Sequence, residues 1–174
     1  MSFSMSHASI DAFTTTLNAL SAVLDKGMLF AAEKKIDPAV LLATRLYPNM
    51  FTLTRQVQIV TDGAKGGASR LAGVEPPKYE DNETTFEQLK DRLARTVAYL
   101  KTLDRAKIDA SADREIVFPV GPTDKMKMKG ADYLTQFVIP NLYFHATTAY
   151  GILRHCGVDL GKRDYLGQFP GTAA

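Results

Sequence analysis

Apolar positions recur along this chain in steps of three and four over four long stretches, and that spacing predicts four amphipathic helices. The first stripe is Ile10, Phe13, Leu17, Leu20, Leu24, Met28 and Ala31, ending near Lys35 because Asp37-Pro38 restarts the chain. Pro38 then opens a short helical turn through Leu42. The second helix begins after Pro48-Asn49, with Asn49 as its cap. It carries Leu53, Val57, Val60, Ala64, Ala68 and Leu71 inward and stops at Gly73. The third opens on a capping box with Thr84 as cap and Glu87 reaching back. It buries Phe86, Leu89, Leu93, Val97, Leu100 and Leu103 and turns Lys90, Asp91, Arg92 and Lys101 outward. The fourth runs from about Ala131 to His155 on the stripe Leu134, Phe137, Asn141, His145, Thr148 and Ile152, with a kink expected at Pro140 and a stop at Gly157.

Between the third and fourth helices the period changes. Ile116, Val117, Phe118 and Val120 favour a strand, Gly121-Pro122 a turn, and Lys125 to Lys129 alternates with period two. This predicts a small β-hairpin whose alternating lysines form a solvated edge. Four striped helices and one hairpin make an all-α four-helix bundle, a single domain over residues 1–174 with an irregular tail from 158 onward. Gly63, Gly66 and Gly67 sit inside the second helix, where each costs about 1 kcal/mol against alanine. Close approach of another backbone compensates, either a helix of the same chain or one of a second subunit.

Composition changes this picture little. At 174 residues the chain fits one domain that needs no disulfide or metal for its core. A net charge of +2, from 21 basic and 19 acidic residues, is too balanced for a nucleic-acid footprint. The lone cysteine, Cys156, allows no intrachain disulfide and suggests a reducing compartment. No stretch approaches the roughly 20 apolar residues of a membrane helix, and residues 1–10 do not read as a secretory signal. A cytoplasmic protein is the expectation.

The chemically informative feature is the polar insertion in the fourth stripe. Asn141 and His145 are spaced i, i+4 and share a face with Thr148. Buried polar side chains must find partners or cost a few kcal/mol. Two readings stay open: a hydrogen-bonded core histidine, or a pocket with His145 as general base or ligand. Gln56, Gln58 and Asp62 on the second helix supply further polar groups, read either as a solvated face or as the far wall of that pocket. His7 reads as exposed. His155 is explained by the negative end of its helix dipole. Cys156, at a helix C-terminus, lacks the setting that activates a thiolate. No phosphate loop, CxxC, HExxH or Gly-x-Ser-x-Gly motif occurs.

The segments from Met50 to Gly73 and from Asn141 to Val158, followed by Leu160 to Gly167, resemble the DinB/YfiT-like superfamily, and within it a branch of unassigned function. The resemblance spans nearly the whole chain. It implies a four-helix bundle that often pairs into dimers, and a divalent-metal site of three histidines, one on the second helix and two spaced HxxxH on the fourth. Carried onto this sequence, those positions are Ile59, Asn141 and His145. One ligand is kept, one is an amide and one is apolar, so no cofactor is expected with assurance. If a metal binds, His145, Asn141 and Asp62 are the set to hold it. Superfamily members with intact sites include thiol-dependent transferases.

Three functions therefore stay open. The first is a DinB-like protein with a degenerate metal site that binds a small molecule around His145, lined by Asn141, Gln56, Gln58 and Thr148. The second is a metal-dependent enzyme of the thiol-transferase kind that uses His145 with Asn141 and Asp62. The third is a non-catalytic structural or stress-associated homodimer.

Overall fold

The computed structural model describes residues 4–121, 123–169 and 171. Helices account for 64% of the chain, about twice the usual share in globular proteins. A π-helical turn at His7–Asp11 leads into α1 (Ala12–Lys34); α2 (Pro38–Ala43) and α3 (Leu53–Ala72) follow. After a linker over 73–85 come α4 (Phe86–Leu100) and α5 (Arg105–Asp109). The hairpin is β1 (Glu115–Val120) and β2 (Asp124–Lys129). Then come α6 (Gly130–Asp132), a second π-helical turn (Tyr133–Val138), α7 (Ile139–His155) and α8 (Lys162–Leu166). The bundle consists of α1, α3, α4 and α7: α3 packs on α7 and α4, and α1 closes the ring against the same two helices.

The apolar stripes form the core as their spacing requires. Phe13, Leu17, Leu24, Leu53, Val57, Leu71, Leu89, Leu142 and Ile152 are all fully buried. In the hairpin, Glu115, Val117 and Pro119 pair with Lys129, Lys127 and Lys125 on the outer face. Ile116 and Phe118 are buried, and Phe118 stacks on Tyr133 and Phe137 with both centroids 4.6 Å away. The three lysines are exposed, as a charged edge should be.

Several local expectations are corrected. The cap of α3 is Thr52 rather than Asn49, its hydroxyl accepting from the Arg55 amide. The capping box of α4 is shifted by one residue, to Thr85 and Gln88 in place of Thr84 and Glu87. A Gln at N3 completes a box as well as Glu does, and Gln88 Oε1 accepts from the Thr84 and Thr85 amides. That helix stops at Leu100, and a separate helix follows at Arg105. The tail is not wholly irregular: α8 folds back, its Asp164 paired with Lys26 at 2.8 Å. At Pro140 the chain meets the missing amide with a π-helical turn just before it, and Pro140 takes a first-turn position of α7.

The glycines of α3 serve the chain's own packing. A Cβ on Gly67 would lie 2.5 Å from Val138 Cγ1, and one on Gly63 would lie 3.8 Å from the Asn141 amide nitrogen. The second π-helical turn therefore presses against α3 at Gly67, and α7 meets it in ordinary contact at Gly63. One on Gly66 would meet Arg70 of the same helix.

Candidate functional site

α3 and α7 run antiparallel, since Gln56 meets His145, Gly63 meets Asn141 and Gly67 meets Val138. Ile59 stands three residues after Gln56 and four before Gly63, which puts it on the same stripe of α3. The positions Ile59, Asn141 and His145 thus belong to the facing stripes of one helix pair.

His145 is buried to 8% exposure, and its Nδ1 lies 2.6 Å from Gln56 Oε1. Gln56 is itself buried and its amide nitrogen donates to the Phe51 carbonyl at 3.3 Å, so the amide oxygen must face the imidazole. An amide oxygen only accepts; Nδ1 therefore carries the proton and Nε2 keeps the lone pair. Thr14 Oγ1 is the one buried side-chain polar atom without a hydrogen-bond partner among the described residues. Nε2 has no hydrogen bond in the described structure, so it reaches the surface. Burial lowers the imidazole pKa below 6.5, and the nearby Arg55 charge lowers it further. The side chain is neutral at pH 7 and presents a basic nitrogen. The Phe144 ring is exposed and stands edge-on to it at 5.1 Å.

The other candidates point elsewhere. Asn141 is half-buried and faces Gly63 instead of bonding His145. Thr148 donates to the Phe144 carbonyl of its own helix at 2.7 Å. Gln58 is buried, but its amide donates to Glu83 at 2.9 Å and accepts from Arg55 at 3.2 Å. Asp62 accepts from Arg92 at 2.8 Å and Lys65 at 2.6 Å. At 100° per residue, six positions separate Asp62 from Gln56 by about 120° around α3, so the two serve different faces. His7 pairs with Asp11 at 3.0 Å on the exposed first turn. His155 is exposed and Cys156 is a half-buried free thiol.

The largest polar structure was not foreseen. Arg92, expected outside, is completely buried. It donates to Thr61 Oγ1 at 2.7 Å, the Glu80 carbonyl at 2.9 Å and Glu83 at 3.0 Å. It also pairs with Asp62 at 2.8 Å and Asp81 at 3.0 Å. Lys65, Arg92 and Arg95 all lie over the Tyr79 ring, 4.8 to 5.3 Å from its centroid. Burial raises the Glu83 pKa, but hydrogen bonds from Gln58 and Arg92 outweigh it and hold the carboxyl below its usual range. The face of α3 expected as solvated or pocket-lining is instead covered by the 73–85 linker. A signal was available: Arg92 sits three residues after Leu89 and four before Thr96, in line with the buried stripe.

These side chains do not fit a transition-metal centre. Of the three positions the resemblance marks, Ile59 has no donor atom and Asn141 offers a neutral amide. Asp62 is committed to two cations, and among the described residues no three His, Cys, Asp or Glu groups come together to share an ion.

The chain is similar to known proteins over nearly its full length. It resembles the crystal structure of a DinB family member protein from Shewanella denitrificans at 42% identity and a TM-score of 0.89, over 97% of this chain and 95% of that one. No curated protein matches it. The model of a domain of unknown function, DUF1993, matches residues 5–166. The chain is therefore a DinB-like bundle protein and belongs to the DUF1993 family.

Proposed function

We propose that this DinB-like protein binds a small molecule at the mouth of the α3–α7 pair, with His145 Nε2 as the hydrogen-bond acceptor and without a resident transition metal. The observation that carries this reading is the fixed tautomer. Gln56 holds Nδ1, so the opposite nitrogen meets solvent as an unprotonated base in an apolar surround. A fully enclosed histidine would need a partner for both nitrogens, whereas this one leaves Nε2 open to a partner from outside. The ligand class is a molecule with an O–H or N–H donor and an apolar portion, which rests on Phe144. The same nitrogen suits general-base work, because a neutral imidazole is ready to accept a proton at pH 7.

The test follows the imidazole itself. In protein labelled with 15N-histidine, long-range proton–nitrogen spectra should show Nδ1 protonated and Nε2 bare at pH 7. A panel of small O–H and N–H donor fragments should move the Nε2 resonance, and His145→Asn should abolish binding of the members that do. An Nε2 that stays unmoved by the whole panel would leave His145 as a core residue and end this reading.

A further inference from the structure

A second site lies on the opposite flank of α7. Ala8, Ala12, Thr15 and Thr16 follow one another in short helical steps along the first π-helical turn and α1, and all four are half-buried. They make a floor of small side chains where residues of leucine size would fill the space. Tyr143 of α7, Tyr165 of α8 and Phe169 stand around that floor, and together they border an open cleft of about 830 Å³. That volume is within the range of small-molecule sites. The cleft shares no lining residue with the His145 cluster.

The backbone supplies an independent sign. The floor begins on the π-helical turn His7–Asp11. Such turns are rare, and they collect at functional sites because the widened turn re-aims side chains. Here His7, Ala8 and Asp11, all from that turn, line the cleft.

The chemistry of the walls selects the ligand. Asp11 is ionised, held below the usual carboxylate range chiefly by its hydrogen bond with Arg105 and also by His7. Both its oxygens engage the Arg105 guanidinium, so this end of the cleft has little net charge to offer. Thr15 and Thr16 donate to the carbonyls of Asp11 and Ala12 at 3.1 and 3.0 Å, which leaves their oxygens as acceptors. Tyr165 accepts from Thr147 at 2.9 Å and retains its own proton to donate. Three aromatic rings, a neutralised end and scattered single hydrogen-bonding groups favour a flat apolar molecule over an ion.

We propose that this cleft is a ligand site separate from His145 and that it takes a neutral aromatic small molecule. The probe is N-phenyl-1-naphthylamine, titrated into the full chain and followed by fluorescence. About one probe should bind per chain, with a blue-shifted emission and a dissociation constant on the order of tens of micromolar. Ala12→Trp, which fills the floor, should weaken binding at least tenfold. So should Tyr143→Ala, which removes an exposed wall and spares the core should Ala12→Trp fail to fold. Phe51→Ser, at the end of α3 that holds Gln56, should leave binding unchanged. No fluorescence gain, binding that survives both cleft variants, or binding lost with Phe51→Ser would each overturn the assignment.

Discussion

Gln56 and His145, 89 residues apart in sequence, meet at 2.6 Å across the α3–α7 contact. This hydrogen bond decides which imidazole nitrogen faces solvent. Gln56→Leu keeps the volume but removes the acceptor, and should destabilise the fold by about 1–2 kcal/mol, because buried Nδ1 loses its partner. The tautomer preference seen in nitrogen spectra should disappear with it. An unchanged Nδ1–H signature in that variant would show that something else fixes the ring.

The pH dependence of stability should show the buried histidine. Its folded pKa lies below the ordinary 6.5, so the unfolded chain binds the proton more tightly. The stability it contributes is complete above pH 6.5 and is lost as pH falls through 6.5 toward the folded value. Melting temperatures between pH 8 and pH 5 should drop more in the native protein than in His145→Asn. Parallel curves would contradict the neutral, buried state.

Arg92→Met should cost roughly 3 kcal/mol or more, since it leaves Glu83 buried without a counter-charge. A second effect separates it from simple packing loss. Glu83 has a depressed folded pKa, so its contribution is present above its unfolded value of 4.5 and lost as pH falls below that. Chemical denaturation at pH 7 and pH 3.5 should show the gap between variant and native protein narrowing in acid.

Gly67→Ala should destabilise by about 1–3 kcal/mol, because its methyl group would lie 2.5 Å from Val138 Cγ1. Adding Val138→Ala should recover part of that loss. Gly66→Ala meets only the mobile end of Arg70 and should cost little. Because helix propensity favours alanine at both positions, equal losses at the two glycines would show that the contact with Val138 does not govern them.

Protein prepared without a histidine tag should contain no stoichiometric transition metal by elemental analysis. Ile59 and Asn141 replace two of three good ligands, and even changes around the ligands cost 10–100-fold in affinity. One nickel or zinc per chain, lost on His145→Ala, would reverse this and make Asp62 the first residue to examine as the added ligand.

A homodimer is the expected solution state. This rests on the family resemblance alone, because the α3 glycines pack within the chain. Light scattering at micromolar concentration should give about 38 kDa, twice the 19.1 kDa chain. A 19 kDa particle refutes it.

The periodic part of this fold was legible because burial of a stripe is a local property. Leu53, Val57 and Leu71 on α3 needed nothing but spacing to be placed inside. The partnership of His145 was not legible in the same way. Asn141 is its neighbour along the helix, but Gln56 is its neighbour in space, and only the rotation of α3 against α7 decides between them. Arg92 was misplaced for a related reason. Charge argues for the surface unless carboxylates converge, and Asp62, Asp81 and Glu83 converge only once the linker folds over α3 and α4. Caps slipped by a residue or more because Asn49 and Thr52, like Thr84 and Thr85, are equally able to cap.

The contact of Val138 with Gly67 acts as a detent between two rods. Sliding the valine along α3 by one residue would lift it from a place where the opposing helix has no side chain. His145 follows seven residues later, about 10 Å along the same rod. Its alignment with Gln56 is therefore indexed by a steric notch remote from the imidazole. A substitution at that notch can detune the site while every polar group in it is left intact.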